Sequence, residues 1–293
     1  MKLSSDFVGT PLREYTTTIN WRDIKNYAAA TGDDNPLFLD DEREGGIMAP
    51  PMFCVAVTWP ITERLWEYVD SETFPVEVIR TQVHYTEHLR LHRLVRPDDR
   101  LTVRGKIAAI IPHRAGTHVI IRFDATDHNH TPVFTEHIGG LMRGVECEGE
   151  ARGQSDVPPL PRYAGEKEEG GWEKKVHIDP LLPYIYDGCT GIYFPIHTSV
   201  KFAHDVGLPG IILQGTATLA LAAREITNTF AGGDARKIEA IACRFTDMVL
   251  PGTGITILSD RNGSDPDTGG VHFNVLNNSG KKAIRDGLVT LRE

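Results

Sequence analysis

Two seven-residue stretches of this chain carry groups suited to proton chemistry, and each lacks a different part. In Gly191–His197 (GIYFPIH) the reactive group is His197, which follows Pro195 and Ile196. In Gly32–Phe38 (GDDNPLF) it is Asp33, accompanied by Asn35 and Pro36, and Phe38 stands at the histidine's position. A histidine titrates near neutrality and can take or give a proton at physiological pH. A carboxylate beside it would hold and help to activate a water. Asp33 and Ile192 occupy equivalent positions 159 residues apart, so the acid is kept in one copy and the histidine in the other.

The elements that must position these groups are themselves repeated, and internal repeats decide a fold before any single motif does. His84–Glu87 (HYTE) matches Arg244–Asp247 (RFTD). Arg96–Gly105 matches Leu250–Ser259, and His118–Phe134 matches Val271–Ile284, all in the same order. Each copy reads as a short helix, the motif loop, a long apolar helix and then strands. The second long helix is ILQGTATLALAAREITNTFAGG, rich in the strongest helix formers and ended by Gly232 and Gly233. Its counterpart, MFCVAVTWPITERLWEYVD, contains Pro60, which predicts a kink or a start near Ile61. Alternating apolar residues in THVIIRFDA, GVHFNVLNN and AIRDGLVTLRE predict strands. The class is therefore α+β. Residues 1–147 form the first unit, 148–171 a linker rich in Gly, Pro and charge, and 172–293 the second.

Composition narrows the partners. A net charge of −9 without a basic block argues against nucleic acid or an anionic membrane surface. No apolar run approaches the roughly 18 residues of a membrane span, and the start, MKLSSDFVGTPLREY, lacks a signal core, which points to the cytoplasm. The four cysteines show no CxxC spacing and read as reduced thiols. DHNH (Asp127–His130) reads as a turn, HLRLH (His88–His92) as an exposed strand face, and SDPDTGG (264–270) as a hairpin loop; none reads as a metal site.

The second half, YDGCTGIYFPIHTSVKFAHDVGLPGIILQG, resembles the MaoC-like, (R)-specific enoyl-CoA hydratase/dehydratase family of hotdog proteins. The first half, YAAATGDDNPLFLDDEREGGIMAPPMF, resembles the degenerate N-terminal hotdog of double-hotdog members. The resemblance implies two tandem hotdogs, each a long helix wrapped by an antiparallel sheet, packed as a pseudo-dimer. It implies reversible hydration of an enoyl-CoA to a 3-hydroxyacyl-CoA in the second half, with the first half shaping the acyl pocket. No metal or redox cofactor is implied; coenzyme A enters only as part of the thioester. A homodimer of double hotdogs is one assembly that the resemblance allows, and the sequence does not fix the oligomeric state.

The family motif reads Gly-Asp-x-Asn-Pro-[Ile/Leu]-His. On that pattern His197 matches the catalytic acid/base. Gly215, 18 residues later, matches the glycine whose backbone N–H faces the developing thioester enolate. Gln214 stands where the family often has a histidine and offers an amide to the substrate. Ile192 replaces the aspartate and Phe194 the asparagine, which implies an apolar substrate pocket and a bulky or cyclic acyl group. Asp187 or Asp247 could supply the missing carboxylate, the reaction could run on one base, or the chain could bind acyl-CoA without turnover as a partner subunit. A thioesterase is a further alternative. Asp33 reads as a turn-capping residue, and Lys201 or Arg244 as a contact for the CoA phosphates or as solvated surface.

Overall fold

Each half of the chain runs through helix, loop, long helix and strands in the same order. The first contains β1 (Lys2–Ser4), β2 (Pro11–Thr18), α1 (Trp21–Ala30), α2 (Pro36–Leu39), α3 (Phe53–Glu63), α4 (Leu65–Tyr68), β3 (Gln82–Leu91), β4 (Arg100–His113), β5 (Gly116–Thr126), β6 (Pro132–Arg143) and β7 (Glu146–Glu148). The second contains β8 (Trp172–His177), α5 (Leu182–Thr190), α6 (Val200–Asp205), α7 (Gly215–Phe230), β9 (Ile238–Phe245), β10 (Gly254–Ser259), β11 (Gly270–Leu276) and β12 (Lys282–Leu291). The structure is a computed structural model and describes residues 1–160, 162, 171–259 and 270–292. Most of the linker's second part and of the 264–270 loop lies outside the described residues.

Among the described residues, ten strands form one antiparallel sheet in the order β2-β4-β5-β6-β3-β9-β12-β11-β10-β8. Read outward from the centre, the two halves give the same sequence of strands. The seam is the pairing of β3 with β9, where Thr86 lies opposite Arg244 and Arg90 opposite Ala240. The two helices that carry the motif loops, α1 and α5, also meet at this axis. Tyr27 and Tyr186 are both fully buried, and their hydroxyls lie 3.1 Å apart. These residues are 159 positions apart, the offset that separates the two motifs. A buried hydroxyl needs a partner, and here each copy supplies the other's; Tyr186 also donates to Thr216 at 3.2 Å.

The sheet curls around α7 and α3, giving the tandem hotdog arrangement expected from the sequence. Ala217 to Ala223 of α7 are all buried, so the helix has no solvated face over those turns. Threonines on it bond back to the preceding turn: Thr218 donates to the Gln214 carbonyl at 3.3 Å and Thr227 to the Ala223 carbonyl at 2.7 Å. Gly233, with φ 78°, turns the chain out of the helix, and its N–H returns to the Thr227 carbonyl. The sheet buries alternate residues of β5, including Val119, Ile121, Phe123 and Ala125, against these helices.

One expectation is corrected. The α3 helix begins at Phe53 and runs through Pro60; the break comes later, at Arg64 (φ −116°, ψ 41°), which separates α3 from α4. The helix tolerates proline because its flanks, Val57 and Ile61, are locked in the core. The His88–His92 segment carries the exposed strand face expected of it: Arg90 and His92 are exposed and His88 is half-buried beside His137, while Leu89 and Leu91 are buried. All four cysteines are free, and Cys54 and Cys243 are buried.

Leu219 is wholly buried on α7. Replacing it with Ala should cost about 2–5 kcal/mol through lost burial and the cavity left behind. A urea titration checks this: the midpoint should fall with little change in slope.

Candidate active site

His197 is held by a tight turn, Pro195–His197, that the proline starts. Its Nδ1 donates to the Ile212 carbonyl at 2.8 Å, and the Ile212 N–H returns a bond to the Ile196 carbonyl at 3.3 Å. A carbonyl only accepts, so Nδ1 carries the proton and Nε2 keeps a lone pair. Burial pushes this imidazole down to about 4, so it is neutral at physiological pH. Phe194, about one-third exposed, packs edge-on to the ring with centroids 6.5 Å apart.

Gly215 is the first residue of α7, and the first helical bond runs from Thr218 N–H to the Gln214 carbonyl. The Gly215 N–H finds no acceptor among the described residues, as expected for a helix start. A side chain here would come within 3.2 Å of the Phe245 ring, a tight contact that glycine avoids while leaving this backbone open to the cleft.

His197 and Gly215 open onto one cleft of about 380 Å³ between the two halves. Trp59, Val119 and Ile138 of the first half form part of its wall, and Phe194, Leu213 and Phe245 of the second form another part. Arg143 and Asp247 also line it.

The remaining residues singled out from the sequence are placed differently. Ile192 is 2 % exposed, packs in the core and does not line the cleft: isoleucine at the aspartate's position turns inward to bury its side chain. Gln214 is equally buried; its amide donates to the Pro183 carbonyl at 3.0 Å and braces α5, away from the cleft. Asp187 lies on α5, outside the cleft lining, with Oδ2 buried and unpartnered. Asp247 does reach the cleft, with Oδ1 accepting the Met248 N–H and Oδ2 3.6 Å from the Lys281 ammonium. Arg244 pairs with Asp286 at 2.5 Å and lines a separate pocket outside this cleft, and exposed Lys201 does not line the cleft.

Asp33 and Asn35 lie apart from His197, in a small space of about 20 Å³ next to Phe38. Asp33 accepts the Asn35 N–H, and Asn35 caps Leu37 and donates to the Gly233 carbonyl. The Arg224 guanidinium, from α7, bonds the carbonyls of Thr31 and Gly32. The first motif is thus a filled, self-braced loop, and it makes no joint site with His197.

The comparisons with known proteins follow the same division of the chain. Residues 166–279 match the MaoC like domain, and residues 6–136 match the FAS1-like, dehydratase domain region. The chain is 29% identical over 174 residues to 3-hydroxyacyl-thioester dehydratase Y of Mycobacterium tuberculosis, covering 58% of each. It is 30% identical over 155 residues to a UPF0336 protein of Streptomyces griseus, covering 50% of this chain and 99% of that one. A crystal structure of a MaoC-like dehydratase from Phytophthora capsici superposes with a TM-score of 0.82 at 22% identity, over 98% of both chains. The chain belongs to the MaoC-like hydratase/dehydratase family. Its architecture is the double hotdog. It spans 58% of dehydratase Y and only 4% of the fungal fatty acid synthase beta subunits that it also matches.

One residue of this MaoC-like cleft was not singled out as chemistry in the sequence. His84, on β3 of the first half, lines the same cleft as His197. It was visible only as part of HYTE, a mark of the duplication, because a histidine on an alternating strand does not declare which face it takes.

Buried ionisable groups make stability depend on pH in two directions. Burial lowers His84, His118, His137 and His197 to about 4, below the ordinary 6.5. Between those values the unfolded chain binds more protons, so stability falls as pH drops from 6.5 towards 4. Burial raises Glu87 to about 8, with the buried Glu136 raised beside it. There the folded chain holds more protons, so stability falls as pH rises from about 4.5 through 8. Only the second effect acts above 6.5. Melting temperature measured against pH should therefore peak near pH 6.5 and drop on both sides, and Glu87→Gln should flatten the alkaline limb.

Proposed function

We propose that this protein catalyses the reversible hydration of an enoyl thioester to a 3-hydroxyacyl thioester, with coenzyme A as the carrier, in the cleft between its halves. The observation that carries the reading is one apolar cleft presenting a bare imidazole nitrogen on His197 and an unbonded helix-start N–H on Gly215. The thioester carbonyl is placed at the Gly215 N–H, where the positive end of α7 stabilises the enolate oxygen. Nε2 of His197 accepts a hydrogen from water as its oxygen bonds the β-carbon. The C=C electron pair moves towards the carbonyl, and the proton taken from the water is delivered to the α-carbon. Dehydration is the same path reversed. The steps draw on side chains and backbone alone, and they need His197 neutral at the start, which burial provides.

The acyl chain is assigned to the apolar wall of Trp59, Val119 and Ile138. With Ile192 turned into the core, a preference for bulky acyl groups rests on Phe194 alone. Arg143, exposed at the same cleft, is the cation placed to meet a CoA phosphate in this reading.

The second reading, binding of acyl-CoA without turnover, is favoured by one fact: no aspartate stands at Ile192. Loss of enoyl absorbance across a panel of enoyl-CoA esters separates the two. Turnover is expected, and His197→Ala should lower kcat/KM by about 10²–10⁴-fold. Tight binding of CoA esters with no turnover by the wild type would leave binding only. Release of free thiol would make the protein a thioesterase.

A further inference from the structure

A water held by one base can still rotate. Two acceptors fix both of its hydrogens and aim an oxygen lone pair at carbon, which is where positioning gains most of its effect. In the sequence the second acceptor is missing, because Ile192 sits where the acid is expected and packs into the core. Asp187 does not line the cleft, and both oxygens of Asp247 are engaged, one by the Met248 N–H and one towards the Lys281 ammonium.

The opposite wall supplies another group. On β3, Thr86 and His88 share the face away from the helices and line a pocket on that side. Strict alternation would put His84 there as well. A bulge between His84 and Thr86 breaks the alternation: His84 pairs with Gly140 and Thr86 with Gly139, so two steps on β3 meet one on β6. Bulges commonly re-aim a side chain next to a functional site. Here the bulge sends His84 through to the cleft, where its side chain keeps 20% exposure. Gly139 is what permits it: a side chain there would fall 2.0 Å from the Thr86 hydroxyl.

The His84 ring is fixed on three sides. Its Nε2 donates to the Thr86 carbonyl at 3.1 Å, which assigns the proton to Nε2. Its face lies against Phe245, with centroids 4.5 Å apart, and Phe245 in turn packs on Gly215. Its Nδ1 makes no hydrogen bond among the described residues, and the ring lines the cleft against Phe245, which packs on Gly215. Glu87 Oε2 lies 3.1 Å from Nε2, at the end of the ring away from that nitrogen. Burial keeps Glu87 protonated at neutral pH, so it adds no negative charge that would draw a proton onto the imidazole.

We infer that His84 is the second proton-handling group of this cleft, standing in for the aspartate absent at Ile192: Nδ1 of His84 accepts one hydrogen of the attacking water and Nε2 of His197 accepts the other. The inference rests on the hydratase reading above. One ring takes the water's proton as the C–O bond forms and the C=C pair moves towards the thioester oxygen. That same proton then goes to the α-carbon, so both imidazoles end neutral and no further acid or base is consumed. The two halves of the chain therefore each contribute one base to a single site.

The test is steady-state kinetics on an enoyl-CoA that the wild type hydrates, with His84→Gln, His84→Ala, Asp247→Asn and His197→Ala. His84→Gln keeps a donor for the Thr86 carbonyl and removes the base. It should lower kcat by about 10²–10⁴-fold with KM and melting temperature nearly unchanged, while Asp247→Asn keeps most activity. Free imidazole should restore part of the His84→Ala rate, a response that a packing role does not give. The double variant of His84→Gln with His197→Ala should be little worse than either alone, because both act on one water. Near wild-type kcat in His84→Gln, or a collapse in Asp247→Asn with His84→Gln intact, overturns the inference and leaves the hydratase reading standing. If His84→Gln does not fold, His84→Ala with imidazole decides, and absence of rescue counts against the inference. A wild type that hydrates no thioester overturns both.

Discussion

The antiparallel pairing of β3 with β9 is the constraint on which the rest of this molecule depends. It makes one sheet from two, so neither half exposes an unpaired central edge of the kind that invites aggregation. It also fixes the distance and facing of the two long helices. The cleft exists because of that seam: one wall belongs to strands β3, β5 and β6 of the first half, and the other to the loop and helix start of the second. The tyrosine pair Tyr27 and Tyr186 marks the same axis from the helix side, each buried hydroxyl relying on the other copy.

Around that axis the two copies have diverged in a consistent physical direction. In the first, the loop around Asp33 and Asn35 caps its own turn and is packed by Arg224. Its polar groups serve the backbone, and no cleft of useful size remains. In the second, Ile192 adds to the core, while His197 is held by a backbone carbonyl with one nitrogen left bare. The first loop is closed and braced by its own polar groups; the second presents an imidazole to an open cleft.

Burial is what gives the open site its chemical character. It holds His84 and His197 neutral, and it keeps Glu87 protonated beside Glu136. In an apolar cleft a neutral base costs less to keep than a charged pair, whose desolvation would have to be matched by close partners. The proposed site of imidazoles and a helix-start N–H suits these apolar surroundings better than a buried aspartate would.

The sequence alone determined the duplication and the strand and helix types, because these follow from local periodicity and from spacing along the chain; the family came from the resemblance of its two motif stretches. It also marked His197 and Gly215, which the fold places on one cleft. Of its two readings of Pro60, a kink or a start near Ile61, the start is overturned by a helix that begins at Phe53, since propensity says nothing of the packing that holds Val57 and Ile61 on either side. Only the tertiary structure decided that Ile192 and Gln214 face protein, that Arg244 pairs with Asp286, and that His84 joins the cleft from the far half. The reason is geometric. A strand side chain changes face with a single extra residue, so the bulge before Thr86 moved His84 from one side of the sheet to the other, and nothing in HYTE records which side won.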